Sequence, residues 1–445
     1  MNSTSGRHAL KDNEPERSGV VRRLPSHTLS DLLIPMSGAI DLAEGRSFGH
    51  GQRVAHIALA LAGSVGLDTP SRLACCYAAL FHDIGVIAAG AGLAGLAHGD
   101  ERLVFSSIPP LSPEEVALGT ASSSPHLLVE RIVDHAVHGA RAAQDLSLPE
   151  DAVRAISTHH EKWDGSGYPH GLGGDEIPIV SRVVSLADEV ESLLSQEPSP
   201  LLARRNLPYW LGRLSGTQAD PNVVDAMLAL GSGDLFWLGL YSADLPSDLV
   251  SQCSRLREPR ASRLFQFLES FALLVDARFN FTHGVSTRVS QIVEELGRGA
   301  RLPEQRLKQL QAAALLHDVG QLCVSERILA KPGILTVEEL EVLRQHPTYS
   351  SDILAGISGL KEAAEWVAAH HERPDGRGYP EGLRGDEIPL EARILAVADS
   401  YVAITSDRPH REMASPAEGI RQLRSAAGSQ LDRDLVDLFL ERVVA

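Results

Sequence analysis

A segment of 20 residues occurs twice in this chain of 445 residues, and the repetition limits the fold more than any other property of the sequence. His159 to Pro178 reads HHEKWDGSGYPHGLGGDEIP, and His370 to Pro389 reads HHERPDGRGYPEGLRGDEIP. The two copies are identical at 15 of 20 positions, far beyond chance for unrelated segments. The chain is therefore an internal duplication, and we expect two copies of one folding unit.

Other paired segments extend the repeat. Upstream, FHDIG (Phe81 to Gly85) corresponds to LLHDVG (Leu315 to Gly320), and downstream Gln218 to Leu228 parallels Gln430 to Leu440. These pairs predict the following organisation: a disordered polar tail over residues 1–28, a first domain over 29–230, a connector over 231–262 and a second domain over 263–445.

Apolar residues recur with helical spacing in both halves. Arg53 to Leu67 is apolar all around and is typical of a buried helix, and LACCYAALFHDIG and QAAALLHDVG are predicted to be core helices that end at a His-Asp pair. No convincing alternation of the strand type is present. The sequence therefore predicts an all-α fold, with two helical bundles in tandem joined by a helical connector that packs between them. The two bundles are compatible with a pseudo-dimer.

The GYP segments are predicted to be ordered loops, because Gly165, Gly167 and Pro169 cannot continue a helix.

The two halves differ in the length of the segment that follows the His-Asp pair. Asp83 and His135 are 52 residues apart, whereas Asp318 and His346 are 28 apart, so the first half has about 24 extra residues. These lie in an Ala-, Gly-, Ser- and Pro-rich stretch, Val86 to Pro125, that is predicted to be a loop; loops of this length are commonly lids or mobile segments.

Charge and composition narrow the partners. The chain has 41 basic and 58 acidic residues, for a net charge of −17, which argues against a nucleic-acid backbone or an anionic membrane as the main partner. The four cysteines show no CxxC spacing and indicate a reducing compartment. The polar N-terminus does not resemble a signal peptide, and no run of about 18 apolar residues is present, so we expect a cytoplasmic protein.

The paired histidines, the DGxGYPxGLxGDEIP pattern, the upstream His-Asp pairs and the later ADS and TSDRP motifs (Asp399, Thr405 to Pro409) resemble the HD-GYP family of cyclic-di-GMP phosphodiesterases. The resemblance covers roughly residues 40–195 and 270–412. It implies two HD-superfamily bundles and hydrolysis of cyclic di-GMP to linear pGpG, to GMP, or to both. It also implies two, sometimes three, iron or manganese ions per competent site.

Imidazole and carboxylate ligands suit such metals, and two adjacent ions need a bridging carboxylate. The resemblance implies these ligands: His50, His82, Asp83, His135, His159, His160 and Asp188 in the first half, and His317, Asp318, His346, His370, His371 and Asp399 in the second. His82, Asp83 and Asp318 are the predicted catalytic residues, with Asp83 as the bridge. The predicted substrate contacts are Gly167, Tyr168, Pro169, Gly378, Tyr379, Pro380, Arg408 and Arg411. A purely structural role for the GYP loops remains open.

The sequence departs from the family at several ligand positions. Val285 stands where the second half should carry the counterpart of His50, and the nearby His283 is two residues out of phase on a helix. A glutamate of some members is replaced by Arg46 and Phe281, which favours two ions over three. The lysine of the family's HDxGK motif, which contacts substrate phosphate, is Val86 in the first half and Gln321 in the second. We expect the first half to keep the metal site, and the second to have a weakened site with a regulatory or packing role.

Two alternatives follow from the missing lysines. One is an HD-type phosphohydrolase that acts on another nucleotide, and the other is a non-catalytic receptor or scaffold that binds a cyclic dinucleotide. The resemblance also allows a diguanylate cyclase as protein partner and a homodimer, and it gives no reason to expect nucleic acid or membrane as a partner.

Overall fold

A computed structural model describes residues 27–90, 93, 96, 100–107, 111–120, 122, 124–258, 264–278, 284–407 and 413–443. Within these ranges the regular secondary structure is helical. The described residues form no β-sheet, and their only β-type pairings are isolated bridges such as that of Asp375 with Arg384. The predicted all-α class is confirmed. Only two residues of the predicted tail, His27 and Thr28, are described, and the domain boundaries stay predictions.

The first half contains the helices α1 (Leu29–Glu44), α2 (His50–Ser64), α3 (Thr69–Phe81), α4 (Gly85–Ala89), α5 (Arg102–Phe105), α6 (Pro113–Gly119), α7 (Pro125–Asp145), α8 (Glu150–Thr158), α9 (Ile179–Ser195), α10 (Pro200–Leu214) and α11 (Pro221–Ser232). The predicted connector contains α12 (Asp234–Leu240) and α13 (Leu245–Arg255). A short 3-10 helix, Gly174–Glu176, follows the GYP loop.

The second half contains α14 (Leu264–Ala277), α15 (Val285–Gly299), α16 (Glu304–Leu316), α17 (Glu326–Leu329), α18 (Val337–Leu343), α19 (His346–Ala355), α20 (Lys361–Ala368), α21 (Leu390–Ile404), α22 (Pro416–Ala426) and α23 (Arg433–Arg442). Two 3-10 helices, Val319–Cys323 and Gly385–Glu387, complete it. The central helices repeat the first half: α2 packs on α3 and α9, and α15 packs on α16 and α21.

The entry to the first long core helix is built in the same way in both halves. In the first half, the Asp41 carboxylate accepts hydrogen bonds from the backbone of Gly49 (2.7 Å) and Gly51 (3.0 Å). In the second, the Asp276 carboxylate accepts from the backbone of Ser286 (3.0 Å). Such bonds satisfy amides that a helix start leaves unpaired. These bonds fix the first residue of each helix, which is His50 in α2 and Val285 in α15.

Helices of the two halves pack against each other across a common interface. Helix α1 of the first half packs on the 3-10 helix Val319–Cys323 and on α19 of the second, and α14 of the second half packs on α4 of the first. The buried apolar side chains form one continuous cluster through both halves. The bundles therefore contact each other directly, as a pseudo-dimer requires.

Two expectations about the segments between the main helices are wrong. The connector was expected to pack between the halves, but α12 packs on α2 and α13 packs on α1 and α2, all in the first half. The stretch Val86 to Pro125 was expected to be a loop, but it contains helices. Its Ala- and Gly-rich start is helical because Val86, Ile87 and Ala89 are buried against the core.

One helical stretch, Thr69–Ala89, has the length and mean hydropathy of a membrane-crossing helix, as does the sharply bent pair of α11 and α12 if the two are taken as one span. The first of these is 89% buried inside the protein. Core helices of a folded protein pass the same length and hydropathy test, so these stretches are weak evidence for a membrane span.

A buried ion pair joins the extra segment of the first half to the second half. Arg278, directly after α14, donates from Nη2 to Glu101 Oε1 at 2.9 Å, and both side chains are buried. Arg278 Nη1 also donates to the carbonyl of Val86 at 2.9 Å. The Glu101 carboxylate in turn accepts from Ser325 Oγ (2.7 Å) and the backbone of Glu326 (2.9 Å). The segments that follow the two His-Asp pairs are thus cross-linked through charged hydrogen bonds.

We expect Arg278→Met to lower the free energy of unfolding by ~3–5 kcal/mol, because it leaves the Glu101 carboxylate buried without its cation. Chemical denaturation followed by circular dichroism measures the change. The control is Arg298→Met, which breaks the exposed pair with Glu294 and should have little effect. A double variant, Arg278→Met with Glu101→Leu, should recover part of the loss; equal stability of Arg278→Met and the wild type would contradict the assigned role.

Two candidate metal centres

The seven predicted ligands of the first half come from five helices or helix ends that surround one point. His50 begins α2, His82 and Asp83 follow α3, and His135 lies within α7. The remaining ligands are His159 and His160, which follow α8, and Asp188, which lies within α9. All are buried except His160, which is partly exposed. The structure therefore brings together the complete set that the sequence predicted.

The histidines are oriented by the carbonyl groups one turn before them. His82 Nδ1 donates to the Ala79 carbonyl at 2.9 Å, and His159 Nδ1 donates to the Ile156 carbonyl at 2.8 Å. His135 Nδ1 makes the same contact with the carbonyl of Ile132. Such bonds fix the tautomer and leave Nε2 as the free lone pair. Each ring therefore presents Nε2 to the centre.

Asp83 lies between two sets of imidazoles. Its Oδ1 is 3.1 Å from His135 Nε2 and 3.3 Å from His159 Nε2, while its Oδ2 is 3.3 Å from His82 Nε2. His160 Nε2 completes the first set at 3.2 Å from His135 Nε2. The two oxygens of one carboxylate thus face different ligand groups, which is the arrangement a bridging carboxylate between two ions needs.

Asp188 closes the second set. Its Oδ1 is 3.5 Å from His50 Nε2 and 3.6 Å from His82 Nε2. These three atoms and His159 Nε2 are buried and have no hydrogen-bond partner among the described residues. Buried polar atoms are normally satisfied. A cluster of unsatisfied nitrogen and oxygen atoms facing one point fits divalent metal ions, and the donor chemistry agrees with iron, manganese or zinc.

The electrostatics of the centre favour added positive charge. Burial opposes charge on His50, but the carboxylates of Glu191 and Asp188 raise its pKa to about 10. Burial would raise the pKa of Asp83, yet the charge of His82 and the adjacent imidazoles of His135 and His159 hold it well below its usual range. Divalent cations would supply this positive charge and leave the imidazoles neutral.

Two carboxylates beside the first centre, those of Glu191 and Glu44, were not predicted from the sequence. Glu191 accepts a hydrogen bond from His50 Nδ1 at 2.5 Å and one from Arg53 at 2.6 Å, so it orients His50. Glu44 is fully buried and lies within ligand distance of His50 and His82; burial, with the charge of Asp83, raises its pKa to about 7. Arg46 donates to Glu44 at 2.7 Å. The Glu44 carboxylate thus lies beside the centre. Glu44 is two residues before Arg46, the residue that stands at the position of the family's glutamate.

The second half repeats one ligand set completely. His346 Nε2 is 3.2 Å from Asp318 Oδ1 and 3.2 Å from His371 Nε2. His370, whose Nδ1 donates to the Val367 carbonyl at 2.6 Å, completes this group of four. Burial and the neighbouring charge of His317 lower the pKa of His370 to about 3, so its lone pair is free for a metal.

The other ligand set of the second half is incomplete. His317 Nε2 lies 3.4 Å from Asp318 Oδ2 and 3.6 Å from Asp399 Oδ1. Val285 begins α15 after Gly284, which has a positive φ of 72°, as His50 begins α2 after Gly49, with a φ of 91°. The predicted alignment of Val285 with His50 is therefore confirmed in space. His283 lies outside the described residues.

The GYP loops are tied to the ligand histidines. The buried Glu161 carboxylate accepts from the backbone of His170 (2.8 Å) and Leu172 (2.9 Å), which closes the loop on itself. Tyr168 packs on His160 with ring centroids 4.7 Å apart. In the second half Tyr379 packs on His371 at 4.9 Å. The loops therefore have a structural role, since each packs against a histidine that is a predicted metal ligand.

A cavity of about 150 Å³ opens beside the first centre. Gly167 and Tyr168 line it, together with His159, His160 and Asp188; Pro169 does not. Residues Leu111 to Glu114, from the extra segment of the first half, form part of its wall, so this segment lies at the site as a lid would.

The second half has a wider cavity, of about 600 Å³, lined by His371 and Asp399. Gly378, Tyr379 and Pro380 are not among its lining residues. Arg408 and Arg411, which were predicted to contact substrate, lie outside the described residues.

Comparison with known proteins identifies the family. The HD domain model matches residues 121–208 and 262–435, together more than half of the chain. The chain is 29% identical over 412 residues to a 3′3′-cGAMP-specific phosphodiesterase from Vibrio cholerae, covering 86% of this chain and 87% of that protein. It is 40% identical over 184 residues to a cyclic di-GMP phosphodiesterase from Thermotoga maritima, covering 40% and 49% of the two chains.

A solved structure is similar over nearly the whole length. The crystal structure of a cyclic GMP-AMP specific phosphodiesterase from V. cholerae aligns with a TM-score of 0.68 at 25% identity, covering 94% of this chain and 98% of that one. The helical architecture, the duplicated His-Asp and GYP motifs and these relatives agree. The chain belongs to the HD domain family, as a tandem protein of its HD-GYP branch of phosphodiesterases.

Proposed function

We propose that the first half is a binuclear metal site that hydrolyses the phosphodiester bond of a cyclic dinucleotide. The observation that carries the proposal is the position of Asp83, whose two oxygens face separate ligand sets. One set is His50, His82 and Asp188, and the other is His135, His159 and His160. Relatives of the chain are phosphodiesterases for cyclic dinucleotides, which supports a cyclic dinucleotide as the substrate.

Two divalent ions, iron or manganese, would supply a nucleophile from water and neutralise the phosphodiester during in-line displacement. The chain's own residues keep the ligands in place for this chemistry. The carbonyls of Ala79 and Ile156 fix the imidazoles of His82 and His159, and Glu191 fixes that of His50. Tyr168 supports His160 from the side of the cavity. His82 and Asp83 therefore act as ligands, and the cavity beside them is where the substrate phosphate would lie.

For the substrate we propose cyclic di-GMP, with linear pGpG, GMP, or both as products. A second candidate is 3′3′-cGAMP, because the V. cholerae relative with that specificity aligns over 86% of this chain. Both contain a guanine nucleotide in a cyclic dinucleotide ring, and the same two-ion site would serve either. A diguanylate cyclase partner and a homodimer stay predictions.

We propose that the second half binds less metal and has a regulatory or packing role. It retains the four-residue set around His346 but lacks the counterpart of His50 at Val285. Its central carboxylates are also more exposed, at 20% for Asp318 and 15% for Asp399 against 7% for Asp83 and 4% for Asp188. Water competes better at exposed ligands, so ions there are expected to be held less tightly.

We expect Asp83→Ala to remove about two equivalents of metal, because one carboxylate holds both ions, whereas Asp318→Ala removes about one or fewer. Metal analysis after anaerobic reconstitution with iron or manganese and removal of excess metal gives the ratio. Circular dichroism shows whether each variant remains folded. A larger metal loss in Asp318→Ala than in Asp83→Ala would contradict the assignment of the stronger site to the first half.

Restoring the absent ligand is a complementary experiment. Val285→His places an imidazole at the start of α15, opposite His317 and Asp399, and should add about one metal equivalent to the second half. The gain should be clearest in an Asp83→Ala background, where the first site is empty of metal. Because Val402 stands where Glu191 orients His50, affinity should be lower than at the first site. An unchanged metal content would mean that the second half cannot form this set.

The direct test of function is turnover by the full chain loaded anaerobically with iron or manganese. Cyclic di-GMP, 3′3′-cGAMP and linear nucleotides are supplied separately, and products are separated by chromatography. We expect hydrolysis of a cyclic dinucleotide and at least about 100-fold less in Asp83→Ala, since even indirect support of a ligand is worth 10- to 100-fold. Turnover of linear nucleotides alone would indicate a different phosphohydrolase, and binding of a cyclic dinucleotide without turnover would indicate a receptor.

A further inference from the structure

We propose that Lys162 contacts the substrate phosphate in the first site, in place of the lysine that is absent at Val86. The inference rests on the proposed function, because it assigns a role within that same site. Val86 cannot supply a cation, since its apolar side chain is fully buried and its carbonyl is bonded to Arg278. A site for an anionic diester needs positive charge besides its metal ions if binding is to be charge-assisted.

Lys162 is placed at the cavity by the ligand histidines themselves. It lies two residues after His160 and three after His159, and it lines the same cavity as both, beside Asp188. Its side chain is partly exposed, so a ligand can reach it. Among the described residues that line the cavity, it alone is a lysine or arginine. A phosphate near the two proposed ions would therefore lie within the reach of this flexible side chain.

The second half treats the equivalent cation differently. Arg373 donates to both carboxylate oxygens of Asp375, at 3.0 and 2.6 Å, and is occupied by this internal bond. The aspartate accepts from a backbone amide in both halves, Asp164 from Ser166 at 2.9 Å and Asp375 from Arg377 at 3.0 Å, so the difference lies in the added bond from Arg373. Within the described parts of the chain, Lys162 forms no side-chain hydrogen bond or salt bridge. The first half thus has a free ammonium group where the second has a fixed guanidinium.

The acidic surroundings of the cavity explain why one cation matters. Glu114 and Glu189 line the cavity with Lys162. Glu161 also lines it, but its carboxylate is bonded to the loop backbone. Without Lys162 the described wall would have no lysine or arginine beside the carboxylates of Glu114 and Glu189, which would repel a phosphodiester.

The remaining family cations do not compensate in this half. Counted from Asp188 and Asp399, Glu197 and Pro200 stand where the second half has Arg408 and Arg411. The first half therefore lacks all three basic positions of the resembled family. Lys162 is the residue on its cavity wall that can replace them.

The test uses the full chain loaded with metal and three variants. We expect Lys162→Met to lower kcat/KM for a cyclic dinucleotide about 10- to 100-fold, the effect of one charge-assisted hydrogen bond. Lys162→Arg should restore most of it. Metal content should stay at the wild-type value in both, which separates a substrate contact from a support of the ligands. Arg154→Met, which removes a cation from the exposed face of α8, should change kcat/KM less than twofold or so.

Two results would overturn the assignment. One is an unchanged kcat/KM in Lys162→Met, and the other is a loss of metal that accounts for the loss of turnover. If the wild type proves inactive, equilibrium binding of cyclic di-GMP to the metal-loaded protein replaces turnover. Binding about tenfold weaker in Lys162→Met then supports the contact although the proposed catalysis fails. Equal binding, or no binding by the wild type, refutes the contact.

Discussion

The sharing of one buried carboxylate, Asp83, between two groups of imidazoles is the interaction on which the first half depends. A carboxylate that is 7% exposed and surrounded by four ring nitrogens is stable only if positive charge is delivered to it. Divalent ions would supply that charge, and the helices hold the ligands for them in a fixed geometry, since the carbonyl one turn earlier locks the ring of His82 and that of His159. The bundle thus serves to hold neutral imidazoles in place around an anion.

The packing of the two halves brings a second constraint to the same place. Arg278 of the second half bonds to Val86, three residues after Asp83, and its partner Glu101 bonds to Ser325 and Glu326, just beyond the second His-Asp pair. Buried charges of this kind require precise partners, because a small displacement leaves one of them unpaired. The segments after both His-Asp pairs are therefore positioned by one shared network.

The sequence predicted the repeated features well and the unrepeated ones poorly. Helical spacing of the apolar residues predicted the all-α class, which is confirmed, and the family resemblance predicted seven ligands in the first half, whose side chains lie close together in the structure. Six of the seven have counterparts in the second half, and His50 is the exception because Val285 stands there. Glu44, Glu191 and the Arg278–Glu101 pair were missed, since each acts through a contact between segments far apart in sequence or outside a motif. The stretch after Val86 was predicted to be a loop from its Ala and Gly content, but tertiary burial outweighed intrinsic propensity there.

The differences between the halves are coordinated, because the second half lacks both the counterpart of the ligand His50 and the counterpart of the carboxylate that orients it. In the first half His50 and the carboxylate that orients it, Glu191, form a buried charged pair. The corresponding residues of the second half are Val285 and Val402, both buried in the apolar core. Replacing a whole buried ionic pair by apolar side chains costs little and often stabilises, whereas replacing one partner leaves an unpaired charge. The two valines are thus what is expected if one ion position is lost while the bundle stays stable. The group of four residues around His346 is not affected by this loss.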